Sequence, residues 1–219
     1  MRKGLTELVF ILDRSGSMGG LEQDTIGGFN SMLQKQKEQE GEANITTVLF
    51  DNLYEKIHDR VPADRVKPLT ENEYFVRGST ALLDAMGRTI HEMALIQKAL
   101  PKDCKAEKVI FVITTDGMEN ASREHSRSRV KEMIEHEKEK YGWEFLFLGA
   151  NMDAVEEARS FGIGRDRSVT FQNDSAGVSL NYQVVSETIT RMRGSAAPVG
   201  ADWKKKIEED YKKRGKNKR

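Results

Sequence analysis

Asp13, Ser15 and Ser17 stand at every second position where the apolar stretch "FILD" gives way to "RSGSMGG". Two more oxygen-bearing residues sit at comparable boundaries: Thr80 in "RGSTALLDAMG", ahead of a helical pattern, and Asp116 in "FVITTDGMEN", closing a second apolar run. Carboxylates and hydroxyls are hard oxygen ligands, and neither sulfur nor histidine is among them. That donor set selects Mg²⁺ or Mn²⁺ over zinc or copper, and two carboxylates are fewer than calcium usually takes. Gly16 and Gly78, interleaved with the oxygens, let the backbone turn tightly beneath an ion. If the carboxylates act partly through water, the direct protein ligands are mostly neutral. The ion then keeps much of its charge and an open position, which an incoming carboxylate would complete.

These five oxygens meet only if the right elements hold them. Three apolar runs stand out, Leu5 to Leu12, "KVIFVITTD" and "WEFLFLGAN", and "RSVTF" makes a short final strand. Continuous runs mark strands covered on both faces. Between them, helical spacing of apolar residues predicts helices over 21–40, 80–100, 123–140, 153–161 and 178–192. "ANITTVLFDN" and "LYEKIHDRV" alternate like a hairpin turning at Asp51-Asn52. The fold class is therefore α/β: a doubly wound, mostly parallel central sheet with one antiparallel edge strand, flanked by helices. In such a sheet ligands bind beyond the carboxyl ends of the strands, where strand order reverses. With the first and second buried strands as neighbours, all five oxygens converge at the top of the sheet.

Taken together, "DRSGSM", "RGSTALLDA" and "TTDG" resemble the metal-ion-dependent adhesion site of von Willebrand factor type A domains. That family's pattern is Asp-x-Ser-x-Ser after the first strand, a Thr before a central helix and an Asp after the fourth strand. All five positions match without substitution, over roughly residues 4 to 193. The resemblance implies the family's Rossmann-like fold and a bacterial, intracellular type. It implies Ser15, Ser17 and Thr80 as direct metal ligands, with Asp13 and Asp116 acting through water or hydrogen bonds. It further implies a protein partner offering Asp or Glu, and relatives of this type are often linked to AAA+ ATPases or stress-response assemblies. The partner would meet a rim of Met18, Gly19, Ser79, Gly117 and Met118, the two methionines forming an apolar border. The loops 19–23, 74–79 and 118–126 would set specificity.

Competing readings use the same residues. Ser17, Ser79 or Thr80 are candidate helix N-caps, and Asp116-Gly117 reads as turn chemistry. A metal-dependent phosphoester hydrolase would need a nucleophile or base near the ion, a part open to Asp13, Asp116 and His125, the one histidine that could approach the metal. That histidine is expected as an exposed residue at a helix start. "SGSMG" lacks the first Gly of a nucleophile elbow, no P-loop is present, and "GIG" at 162–164 follows a helix rather than a strand.

Composition bounds the rest. Lys plus Arg and Asp plus Glu both number 35 in 219 residues, so net charge gives no case for nucleic acid or an anionic membrane. After Trp203, "KKKIEEDYKKRGKNKR" holds nine basic and three acidic residues, leaving the body acidic by six. Residues 1–193 read as the domain, and 194–219 as linker plus a solvated basic tail. A contact between that tail and nucleic acid is the third functional reading. The single Cys104 excludes an internal disulfide. No apolar run approaches a membrane span, and Met1-Arg2-Lys3 leads into no cleavable signal. The expectation is a cytoplasmic binding module that is not an enzyme.

Overall fold

Alternation of side chains along a strand decides which half of the core each apolar run feeds. The computed structural model describes residues 1–150, 152–195 and 197–216. Among the described residues the strands are β1 (Arg2–Asp13), β2 (Glu42–Phe50), β3 (Tyr54–Pro62), β4 (Ala106–Thr115), β5 (Glu144–Ala150) and β6 (Ser168–Phe171). The helices are α1 (Glu22–Lys37), α2 (Leu82–Ala99), α3 (Arg127–Tyr141), α4 (Ala154–Ser160), α5 (Ser175–Gly194) and α6 (Lys205–Lys216). Sheet order is β3-β2-β1-β4-β5-β6, so the order reverses between β1 and β4. Every pairing is parallel except β2 with β3, the antiparallel edge. The expected fold class holds, hairpin included.

Leu8, Phe10 and Leu12 of β1 face one side, packing with Phe29 of α1, Leu146 and Leu148 of β5, and Val185 and Ile189 of α5. Val9 and Ile11 face the other, with Met86 and Ile90 of α2, Phe111 and Ile113 of β4, and Ile134 of α3. Both faces are covered, which is why the central strands read as unbroken apolar runs. Asn151, expected to end the third run, lies outside the described residues.

Two departures from the sequence expectation have physical causes. Helix α3 starts at Arg127 rather than 123, because Asp84 on α2 accepts the amides of Arg123, Glu124 and His125 at 2.7–2.9 Å. The helix then begins where Ser126 caps it, accepting from the Arg129 amide. A carboxylate forty residues upstream outcompetes local helix formation there.

The basic tail is the larger correction. Residues 201–216 are not a solvated terminus but fold back as a 3₁₀ turn and α6, packing against β6 and α5. Trp203 and Ile207 join the core at 4% and 2% exposure. The Trp203 indole donates to the Asp166 carbonyl at 2.7 Å. Lys204, nearly as buried, spends its charge on the carbonyls of Arg165 and Ser168 and on Glu208. A Trp and an Ile one helical turn apart form an apolar stripe, which the surrounding lysines conceal from a composition-based reading. Residues 217–219 of that expected tail lie outside the described residues. Trp203→Ala is expected to destabilise the protein by about 3 kcal/mol in urea unfolding, the scale of an emptied aromatic core site. A solvated tail would lose less than about 0.5 kcal/mol.

Candidate metal centre

The switch point places the expected residues side by side. Leu12 of β1 pairs with Thr114 of β4, so Asp13 and Asp116 leave adjacent strand ends. Asp13 is held on every side: Oδ1 accepts the Ser15 amide at 2.7 Å, Oδ2 the Thr115 hydroxyl at 2.5 Å, and its carbonyl the Tyr74 hydroxyl at 2.6 Å. Asp116 Oδ1 accepts from Ser17 Oγ at 2.5 Å, and Oδ2 from Asn173 Nδ2 at 2.9 Å. Ser15 and Ser17 hydroxyls lie 3.1 Å apart. Thr80 is fixed through its backbone, its amide bonding Asn120 Oδ1 and its carbonyl the Asn120 amide.

Gly117 shows where the hydroxyls point. A Cβ built there would lie 2.8 Å from Thr80 Oγ1, 3.2 Å from Ser17 Oγ and 3.7 Å from Ser15 Oγ. Three hydroxyl oxygens thus close around one spot that only a glycine leaves open. None of them caps a helix: α1 and α2 start after Leu21 and Ala81, with no side-chain cap bond at either. Capping, the competing reading of Ser17 and Thr80, is therefore not their role.

Charge at the site is lopsided. Burial pushes the Asp13 carboxyl up to about 6 against the hydrogen bonds from Thr115 and Ser15, and the Asp116 charge adds to the rise. Burial likewise raises Asp116, opposed by Ser17 and Asn173. The donors to both carboxylates are amides and hydroxyls, and among the described residues no Lys or Arg pairs with either. Two arginines are close by in sequence, yet both turn to Asp51. Arg14, fully buried, donates from Nε at 2.9 Å, and Arg77 from Nε at 2.8 Å. Arg14 Nη2 also stands 2.7 Å from Glu55 Oε2. Two desolvated carboxylates with no internal cation, ringed by hydroxyls, fit a divalent ion by donor chemistry. The described residues hold no group of three or more His, Cys, Asp or Glu placed for a metal, so hydroxyls have to complete any such shell.

The rim divides. Gly19, Ser79 and Met118 are exposed and Gly117 is half-buried, but Met18 is 2% exposed. Side chains in the 3₁₀ turn over Gly16–Met18 are a third of a turn apart, so Ser17 faces out and Met18 packs inward. Met18 is therefore no rim contact. His125 is not at the site either, nor is it fully exposed. Its half-buried ring lies against Gly87 of α2, where a Cβ would come within 2.3 Å of Cδ2.

Several residues the sequence did not mark hold this arrangement together. Thr115 and Asn173 orient the carboxylates, and Asn120 anchors Thr80. The loop before Thr80 is stapled to the one after β1, Gly16 N to Gly78 O at 3.2 Å and Arg77 N to Arg14 O at 2.9 Å. Gly78 takes φ +66°, and a Cβ there would collide with Asn52 Oδ1. That glycine was the one legible sign of the staple.

No family model matches the sequence, and no curated protein matches it. Solved structures do. Proximal thread matrix protein 1 from the mussel byssus, in a form with a zinc-occupied metal-ion-dependent adhesion motif, superposes with TM-score 0.57 at 16% identity, over 86% of this chain and 46% of that one. The PilB minor pilin of Streptococcus sanguinis, as its D319A mutant, gives 0.62 at 12%, covering 90% and 64%. The von Willebrand factor domain of the Porphyromonas gingivalis pilus tip protein Mfa5 gives 0.60 at 9%, covering 89% and 98%. The chain spans about half the length of the mussel proteins. The shared feature is the fold, that of von Willebrand factor type A domains.

Asp51 underlies the whole assembly of loops. Burial by itself would raise its carboxyl, but Arg77, the Leu53 amide and Arg14 outweigh that and hold it below its ordinary 3.8. Asp51→Ala removes the buried carboxylate that Arg14 Nε and Arg77 Nε share and is expected to cost about 3 kcal/mol near neutral pH in urea unfolding. A lowered folded-state value means this contribution is complete above the ordinary carboxyl value and is lost as pH falls below it. The gap between wild type and Asp51→Ala should therefore hold from neutral pH down to about pH 4 and narrow only as the pH falls further.

Proposed function

We propose that the chain is a metal-dependent protein-binding module. Ser15, Ser17 and Thr80 would hold Mg²⁺ or Mn²⁺ directly, with Asp13 and Asp116 supporting it through water or hydrogen bonds. The observation that carries this reading is the closure of three hydroxyls around Gly117 beside two buried carboxylates that no side-chain cation among the described residues neutralises. A bound divalent ion would supply a positively charged coordination position for an Asp or Glu of the partner. The chain's own part is to keep its direct ligands neutral, so that this position retains its pull on an anion. The zinc-occupied motif of the mussel matrix protein supports a divalent ion on this fold.

A phosphoester hydrolase would require a base at the open position. Of the three candidates by sequence, His125 is packed on α2 beside Asp84, while Asp13 and Asp116 have their carboxylates taken up by Ser15, Thr115, Ser17 and Asn173. The basic tail does not favour nucleic acid, with Lys204 and Arg214 engaged inside the fold. No helix among the described residues is long and apolar enough to cross a membrane.

Calorimetric titration with Mg²⁺ and Mn²⁺ is the direct test. Wild type should bind at millimolar concentration or better and Asp13→Ala should not. Gly117→Ala, whose methyl enters the space between Thr80 and Ser17, should weaken binding about tenfold or more while the protein stays folded. Capture of a partner should then be lost both on chelation and in Asp13→Ala. Failure of wild type to bind either ion at millimolar concentration would overturn the proposal.

A further inference from the structure

Asn173 lies in the connection from β6 to α5, far in sequence from the motif residues, and yet it touches the metal site. We propose that Asn173 is a positioning residue of that site and that α6 holds it in place. The proposal rests on the metal-binding reading above.

Both oxygens of Asp116 are engaged, Oδ1 by Ser17 and Oδ2 by Asn173 Nδ2, which locks the carboxylate against rotation. A carboxylate accepts and does not donate, so the amide nitrogen has to face it and the amide oxygen has to face elsewhere. That oxygen, Asn173 Oδ1, is buried and meets no donor among the described residues. An acceptor left this way costs free energy unless something donates to it. Beside a hydrated divalent ion, the donor of matching chemistry is a water of the ion's shell. Asn173 would then clamp Asp116 with one end and the hydration shell with the other, as residues behind metal ligands commonly do.

Its neighbours on both sides are tied to the C-terminal helix. Arg214 Nη1 of α6 lies 2.6 Å from each carboxylate oxygen of Asp174, and Gln172 Nε2 donates to the Tyr211 carbonyl at 3.4 Å. Asp174 also caps α5, accepting the Gly177 amide at 2.9 Å. Asn173 thus sits in a short span whose two flanks are both fastened to an element 40 residues downstream. Arg214 in turn is steadied by Asp210, one turn back on the same helix.

The test is Mn²⁺ titration of the full chain by calorimetry, with solvent-proton relaxation measured at saturation. Four proteins are compared: wild type, Asn173→Ala, Arg214→Ala and the double variant. Asn173→Ala should bind Mn²⁺ about tenfold more weakly. At saturation it should also show a larger relaxation enhancement, because a water it no longer holds exchanges faster. A purely structural residue would leave that second readout unchanged. Arg214→Ala should lose a smaller factor, and the double variant should bind no more weakly than Asn173→Ala alone, since Arg214 acts through Asn173. Asn173→Ser, which removes the amide with less disturbance, is read in the same way if the alanine variant does not fold. Wild-type binding with Asn173→Ala inside a factor of two overturns the role of Asn173 and leaves the metal reading standing. Full additivity of the two losses overturns the part assigned to α6. Absence of Mn²⁺ binding in wild type overturns the metal reading and this proposal with it.

Discussion

Asp13 and Asp116 are like charges drawn into one dry place by the pairing of β1 with β4. Everything around them is arranged to make that tolerable without cancelling it. Each carboxylate receives neutral donors, which lower the cost of burial while leaving the negative charge in place. The charges that would cancel it are present in the same loops, on Arg14 and Arg77. Asp51 holds both away. A site evolved only to be a sound turn would let Arg14, between Asp13 and Ser15 in the chain, pair with Asp13. Its diversion to Asp51 leaves the carboxylate pair without a Lys or Arg partner among the described residues, as the proposed reading requires.

Legibility in the sequence follows the range of the interactions involved. The central strands were readable because burial on both faces leaves no polar alternation, and the motif residues because they sit at the ends of those strands. Helix α3 began late because of Asp84, a contact invisible to local periodicity. Met18 looked like a rim residue by adjacency to Ser17, but one step along a 3₁₀ turn swings the side chain a third of the way round, here from the surface into the core. Trp203 and Ile207 were hidden by the lysines around them. Asn173 carried no signal at all, since its approach to Asp116 depends on where the β6–α5 connection lands after the sheet has formed.

The loop ahead of Thr80 bears on what this site would recognise. An ion held chiefly by hydroxyls attracts any Asp or Glu, so on the proposed reading the coordination bond confers strength without discrimination. Discrimination has to come from fixed groups nearby. Phe75, 42% exposed, is the clearest one: the guanidiniums of Arg14 and Arg77 stand 5.4 and 5.0 Å from its ring centre. Cation–π contact with one buried and one half-buried arginine, on a loop bonded backbone to backbone with the metal loop, leaves the ring little freedom to lose on binding. Rigid, exposed aromatics of this sort dominate binding energy where they occur at interfaces. The same Asp51 that keeps the arginines off the carboxylates therefore also stations them at Phe75. One buried acid thereby sets both the charge of the site and the shape of the surface beside it.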